Sequence, residues 1–156
     1  MRGCTASDAC ASEIAQASTA AGVEPSSFWV KGFKTAVVRE SSGNPNTFNL
    51  SDSNAITPPG FSKVRDFGDG YRGDGRIVRL NGALRHFQCA RGIVQRTPQT
   101  FAQHHAPGTS VNIYDPVACI AATMRYVRSR YGVAVDGSDL AKLVKQFDPS
   151  RPPIRY

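Results

Sequence analysis

The stretch SSFWVKGFKTAVVRESSGNPN (residues 26–46) predicts one amphipathic helix and the point at which it ends. Ser26 or Ser27 can cap the N-terminus of this helix. Asn44-Pro45 prevents its continuation, because the residue before a proline avoids the helical conformation. Glu40 therefore falls in the last turn, just before the Gly-Asn-Pro loop.

The position of Glu40 on this helix is unusual for a carboxylate. At about 100° per residue, Trp29, Phe33, Ala36 and Glu40 lie on one narrow stripe. An ionised carboxylate on a buried face costs free energy unless it is paired or protonated. Desolvation and the negative end of the helix dipole would both raise the pKa of this carboxyl. A carboxylic acid that stays protonated near neutral pH is what a glycosidase general acid requires.

A purely structural role for Glu40 is the alternative interpretation. Arg39, Arg91 or backbone amides of the following loop could pair with the carboxylate, or the helix end could fray and leave it in solvent. The periodicity alone does not separate these two interpretations.

The rest of the chain is expected to be mainly helical, with one small β element. Asn81-Gly82 between the runs RIVRL and ALRHFQ predicts a β-hairpin at about 76–88, because both turn residues tolerate positive φ. The fold class is thus α+β, mainly α. Further helices are predicted at 7–21 (capped by Ser7 or Asp8, with Gly22 after its end), after Thr97-Pro98, from Asp115-Pro116 to Gly132, and from Ser138 to Asp148-Pro149.

Length and charge narrow the class of protein. The 156 residues suit a single domain over 1–150, with 151–156 as an extended tail or linker stub. No apolar run is long enough for a membrane span, and the first ten residues lack the apolar middle of a secretory signal. We therefore expect a protein exported without such a signal, or a domain of a larger chain. The net charge of +7 suits an anionic partner, but the basic residues form no block, so nucleic acid is not expected.

The four cysteines, Cys4, Cys10, Cys89 and Cys119, match no zinc pattern, since no CxxC occurs. No metal site is expected. An even count allows two disulfides in an oxidising location, and four reduced thiols are the alternative. Their spacing does not decide between the two.

Three motifs, in order, resemble those of the lytic transglycosylases and goose-type lysozymes. ESSGNPN (40–46) is similar to the Glu-Ser motif E-S-x-x-N-P-N, and GIVQ (92–95) to G-L-M-Q. Residues 115–126 are similar to D-P-x-x-N-I-x-x-G-x-x-Y. The segments DSNA (52–55), TPQTF (97–101) and NIYDP (112–116) resemble the subgroup found in tape-measure proteins of tailed phages that infect actinobacteria. The resemblance spans roughly residues 28–132.

The resemblance implies a lysozyme-like fold, with helices around a long cleft and a small β-hairpin wing. It implies a substrate as well: peptidoglycan glycan strands, cleaved between N-acetylmuramic acid and N-acetylglucosamine without a cofactor. The protein would act at the bacterial cell wall, in a virion tail or after secretion, and as an isolated domain it would be a monomer. Residues 57–89 exceed the usual spacer between the first two motifs and are interpreted as an insertion.

The resemblance also assigns roles to individual residues. Glu40 would be the general acid, and then the base that gives a 1,6-anhydro product without water. Ser41 would orient the local backbone. Gln95 would line the sugar cleft. Tyr126, which matches the motif tyrosine, and Tyr114 are candidates to stack on or hydrogen-bond a sugar, and a core aromatic with its hydroxyl at the rim is the alternative for each.

Hydrolysis is the alternative reaction. An inverting lysozyme needs a second carboxylate, about 6.5–9.5 Å from the acid, to activate water. Asp52 stands where goose-type lysozymes carry an Asp at a similar offset, although an Asx-turn residue in a Ser/Asn-rich loop is the favoured interpretation. A non-catalytic wall-binding module is a further alternative, against which the presence of Glu40 argues.

The resemblance is weakest along the third motif, and this departure suggests a disulfide. Cys119 replaces the family asparagine, and Thr123 the family glycine. Cys89 lies just before the GIVQ motif, and in a lysozyme-like fold the two segments line one cleft. We therefore expect a Cys89–Cys119 disulfide, which would leave Cys4 and Cys10 to each other.

Overall fold

The computed structural model describes Cys4, residues 10–47, Asn49, Gly73 and residues 89–154. This part of the chain is mainly helical, as the sequence predicts. The helices are α1 (Ala11–Ala21), α2 (Ser27–Ser41), α3 (Pro98–His104), α4 (Pro116–Tyr131) and α5 (Leu140–Leu143), followed by a 3₁₀ turn at Lys145–Phe147. The predicted hairpin at 76–88, Asp52 and most of the insertion at 57–89 lie outside the described residues.

Capping chemistry sets the ends of the three predicted helices α2, α3 and α4. The side chains of Ser26, Thr97 and Asp115 accept from backbone N–H groups in the first turns, and Pro98 and Pro116 open α3 and α4. These caps satisfy donors that have no partner inside a helix. All three predicted N-termini are confirmed.

Two predicted helices differ from the structure. Helix α1 begins at Ala11, after Cys10 in a left-handed conformation at φ 65°, and not at Ser7 or Asp8. The helix predicted from Ser138 is split, because Val144 adopts an extended conformation between α5 and the 3₁₀ turn. Asp139 precedes α5 and accepts from the N–H of Ala134.

Helix α4 is the centre of the core. It packs against α1 and α3, while α2 packs against α1 and the 3₁₀ turn. Phe33 of α2 meets Phe147 edge-on, with ring centroids 4.8 Å apart, and Trp29 donates to Val135 O. The largest fully buried apolar side chains are Trp29, Phe33, Phe101, Phe147, Ile14, Ile93, Ile113, Ile120, Met124 and Leu140.

The predicted tail is attached to the helical body. Residues 151–154 have no regular secondary structure, and Arg39 donates through Nη2 to Arg151 O. Ile154 N–H donates to the side chain of Gln146 at 2.6 Å. The end of the described chain therefore lies beside the C-terminal half of α2.

Candidate functional site

Glu40 lies where the sequence predicts, in the last turn of α2. Trp29, Phe33 and Ala36 are fully buried, and Glu40 is half-buried on the same stripe. The helix continues only to Ser41, because Ser42 takes a left-handed conformation at φ 53°. Glu40 is thus held at a helix end beside a loop, which gives its carboxyl both a packed side and access to solvent.

A residue that the sequence analysis missed contacts this carboxyl. Gln146 in the 3₁₀ turn is only 4% exposed, and its Nε2 donates to Glu40 Oε1 at 2.6 Å. Arg39 Nη1 donates to the backbone oxygen of Gln146 at 2.9 Å. Glu40 and Gln146 are 106 positions apart, and no sequence pattern predicts their contact. Only the split of the last helix, which places Gln146 over α2, creates it.

Ser41 joins the end of α2 to the GIVQ motif. Its hydroxyl lies 2.7 Å from Ile93 O and 3.1 Å from Val37 O. Partly buried hydroxyl-to-carbonyl hydrogen bonds of this kind hold two backbone segments together. The expected role of Ser41 in orienting the local backbone fits these contacts.

The GIVQ motif forms a tight turn between Arg91 and Arg96. These two arginines are paired through both backbone hydrogen bonds, 3.0 and 2.9 Å long. Gly92 and Gln95 have positive φ, 82° and 53°. The N–H of Gly92 donates to Thr47 O at 2.9 Å, so the turn is attached to the loop that follows Glu40.

Gln95 is buried, being 8% exposed. Its Nε2 donates to Gly92 O at 2.9 Å and to Thr47 O at 3.2 Å. Both amide donors therefore hold the turn and the loop together. Among the described residues, no donor reaches its Oε1.

The third motif reaches the same turn through α4 and the residues before it. A Cβ on Gly92 would lie 2.8 Å from Ile113 O and 3.1 Å from Cys119 Sγ, so only glycine fits here. The Arg96 guanidinium lies over the ring of Tyr126, 5.1 Å from its centroid. The structure thus brings the three motifs together around residues 91–96.

Tyr126 lies in an aromatic cluster at the C-terminal half of α4. Its ring is 5.4 Å from that of His104 and 6.2 Å from that of Tyr131. Burial and the charges of Arg125 and Arg96 lower the pKa of His104, so this imidazole is neutral at pH 7. Tyr126 and Tyr114 are both half-buried and pack against the core.

The structure confirms one of the two expected cysteine pairings and contradicts the other. Cys4 and Cys10 form the disulfide, with Cα atoms 5.0 Å apart, while Cys89 and Cys119 are buried thiols. The Cys89 sulfur accepts from Arg91 Nη2 at 3.0 Å. Cys119 lies under Gly92, where burial raises the pKa of its thiol to about 11. The two sulfurs therefore have separate surroundings, and the Cys89–Cys119 prediction is wrong.

The disulfide lies against the loop that follows Glu40. The N–H of Cys4 donates to Gly43 O at 3.0 Å. In the described part of the chain, the one group with metal-ligand geometry is Cys4, Cys10 and Glu13, but its sulfurs are already bonded to each other. The disulfide and this hydrogen bond therefore hold Cys4 against the loop that follows Glu40.

None of the described helices is both long and apolar enough to cross a membrane.

Comparison with known proteins finds a relative that covers part of the chain. The chain is 31% identical over 104 residues, or 67% of its length, to the uncharacterized protein YqbO of Bacillus subtilis (strain 168). It spans about 5% of the length of that protein. No family model and no solved structure matches.

Proposed function

We propose that this chain is a lysozyme-like domain that cleaves peptidoglycan as a lytic transglycosylase, with Glu40 as general acid and base. The observation that carries the proposal is the convergence of the three motifs. The Glu40–Ser41 helix end, the Gln95 turn and the helix of Tyr126 are joined by direct contacts, although 86 positions separate Glu40 from Tyr126. Separate structural roles for these segments would not require this meeting.

In this reaction, Glu40 donates a proton to the glycosidic oxygen between N-acetylmuramic acid and N-acetylglucosamine. The C1–O bond breaks, and the N-acetylglucosamine side leaves as an alcohol. The acetamido group of the muramic residue stabilises C1. Glu40, now a carboxylate, removes the proton of the C6 hydroxyl, whose oxygen closes the 1,6-anhydro ring on C1. The carboxyl ends the cycle protonated and no water is consumed.

The side chains of the converging motifs suit a sugar with hydroxyl and amide groups. Gln95 carries an amide oxygen at the turn, and Tyr126 carries a half-buried ring whose hydroxyl end lies near Tyr131. The net charge of +7 favours a cell wall with acidic polymers.

The chain is proposed to be one domain of a longer protein that acts at the cell wall, such as a phage tail protein. Its resemblance to the tape-measure subgroup supports this, as does its match to a small part of a much longer relative. The larger protein would bring the domain to its substrate.

The test is Glu40→Gln, with Glu24→Gln as a control at an exposed glutamate. Glu40→Gln should lower clearance of a purified cell-wall suspension by at least about a hundredfold, the usual contribution of a general acid. It should leave the circular dichroism spectrum unchanged, and Glu24→Gln should retain full activity. Clearance by Glu40→Gln at the wild-type rate would refute the assignment.

A further inference from the structure

Gln146 lies in a hydrogen-bond network that fixes which way its amide points. Its Nε2 is 2.6 Å from Glu40 Oε1, and its Oε1 is 2.6 Å from the backbone nitrogen of Ile154. A backbone N–H can only donate, so the end of the amide that faces Ile154 must be the oxygen. The NH₂ group therefore faces Glu40, and the choice between the two amide orientations is made by the tail.

The geometry points to Gln146 as the residue that positions the Glu40 carboxyl, and to residues 151–154 as the segment that holds Gln146 in place. This inference rests on the proposed function. The three motifs imply neither the role of Gln146 nor that of residues 151–154, since all of these residues lie beyond the segment of roughly 28–132 that carries the resemblance. It gives the predicted tail a role in the site.

The network has a chemical consequence for proton transfer. Glu40 Oε1 accepts a hydrogen bond from Gln146. In a protonated carboxyl the carbonyl oxygen is the better acceptor, so this hydrogen bond favours the proton on the other oxygen. The proton that the general acid donates is thus directed to Oε2. Proton transfer depends strongly on such placement, because a misplacement of about 1 Å can cost about a hundredfold in rate.

The backbone of Gln146 is held as well as its side chain. Arg39 Nη1 donates to Gln146 O, while Nη2 of the same guanidinium donates to Arg151 O. Arg39 thus connects α2, the 3₁₀ turn and the tail one residue before Glu40. Gln146 cannot shift without breaking contacts on both of its ends.

The first experiment measures kcat and KM for Gln146→Leu on a soluble glycan-strand fragment of peptidoglycan. Leucine fills a similar space without the donor. A positioning role predicts a fall in kcat of about ten- to a hundredfold, with KM changed less than about twofold. A structural role alone would lower the melting temperature and leave kcat of the folded fraction unchanged.

A second pair of variants tests the tail without altering Gln146. Ile154→Pro removes the N–H that orients the amide, whereas Ile154→Ala keeps it, and Ile154 is 44% exposed. We expect Ile154→Pro to lower kcat about tenfold and Ile154→Ala to stay within about twofold of wild type. The side-chain amide resonance of Gln146 should shift in the proline variant only. This pair decides the question if Gln146→Leu fails to fold.

The outcomes separate the two proposals. Equal kcat for wild type, Gln146→Leu and Ile154→Pro would overturn the positioning role and leave the proposed function standing. Equal losses in Ile154→Pro and Ile154→Ala would overturn the role of the tail N–H. Failure of the wild-type protein to cleave any glycan strand would overturn the proposed function, and the positioning role with it.

Discussion

Gly92→Ala should lower the free energy of unfolding more than a glycine-to-alanine substitution whose cost is only the left-handed backbone conformation. Gly92 has φ 82°, and an added Cβ would lie 2.8 Å from Ile113 O and 3.1 Å from Cys119 Sγ. The left-handed conformation costs an alanine about 1–2 kcal/mol. Overpacking against a backbone carbonyl, which cannot rotate away as a side chain can, adds about 1–3 kcal/mol. We therefore expect a loss of about 2–5 kcal/mol in the free energy of unfolding.

Gly132→Ala is the matched control. Gly132 ends α4 at φ 71°, and nothing lies within 4 Å of its added Cβ. It should show only the conformational cost of about 1–2 kcal/mol. Urea unfolding followed by circular dichroism measures both variants against wild type. Equal losses in the two variants would refute the packing of the GIVQ turn against Ile113 and Cys119, and with it the convergence of the motifs.

Three further predictions concern the tether, the thiols and pH. Ser41→Ala removes the hydroxyl that lies 2.7 Å from Ile93 O and should lower the free energy of unfolding in urea by about 1 kcal/mol. Ser42→Ala, at an exposed position, should lower it less. Equal losses would argue against the Ser41–Ile93 hydrogen bond. A non-reducing peptide map should recover Cys4 linked to Cys10, and iodoacetamide should label Cys89 and Cys119 only after unfolding; a peptide linking Cys89 to Cys119 would contradict the structure. The pKa of Cys119 is raised to about 11 from a usual 9.0, so the folded protein keeps a proton that the unfolded chain loses. The resulting contribution of the Cys119 thiol to the free energy of unfolding is complete below about pH 9 and is lost as the pH rises towards 11. The loss amounts to at most about 2–3 kcal/mol. Between about pH 9 and pH 11, the urea midpoint of the wild type should therefore fall more steeply than that of Cys119→Ala. Parallel plots of midpoint against pH would contradict the raised pKa of Cys119.

Sequence patterns predicted the N-termini of α2, α3 and α4, where a capping side chain next to the helix decides the boundary. Thr97-Pro98 and Asp115-Pro116 place a capping side chain and a proline together, and the observed helices begin at those prolines. The stripe of Trp29, Phe33 and Glu40 follows from helical periodicity alone. These features depend on residues within a few positions of one another.

Features that depend on distant contacts escaped the sequence. No residue near Val144 predicts that the last helix breaks there. The break brings Phe147 into edge-on contact with Phe33 of α2, and a contact between such distant residues leaves no local pattern in the sequence. The same break brings Gln146 to Glu40, a contact that no local pattern could reveal. The Cys89–Cys119 prediction was wrong because the replacement of the family asparagine by Cys119 does not reflect disulfide formation. Cys119 instead packs as a small apolar side chain beneath Gly92.

Mass spectrometry of peptidoglycan digests tests the central claim most directly. Purified glycan strands are incubated with the wild-type protein and with Glu40→Gln. The masses of the products then show which chemical form their muramic ends have. A transglycosylase reaction by Glu40 predicts 1,6-anhydromuramic ends, lighter by one water than reducing ends, in the wild-type digest and none above background with Glu40→Gln. Reducing ends as the main product, lost again in Asp52→Asn, would show hydrolysis by a lysozyme mechanism and rule out the transglycosylase reaction.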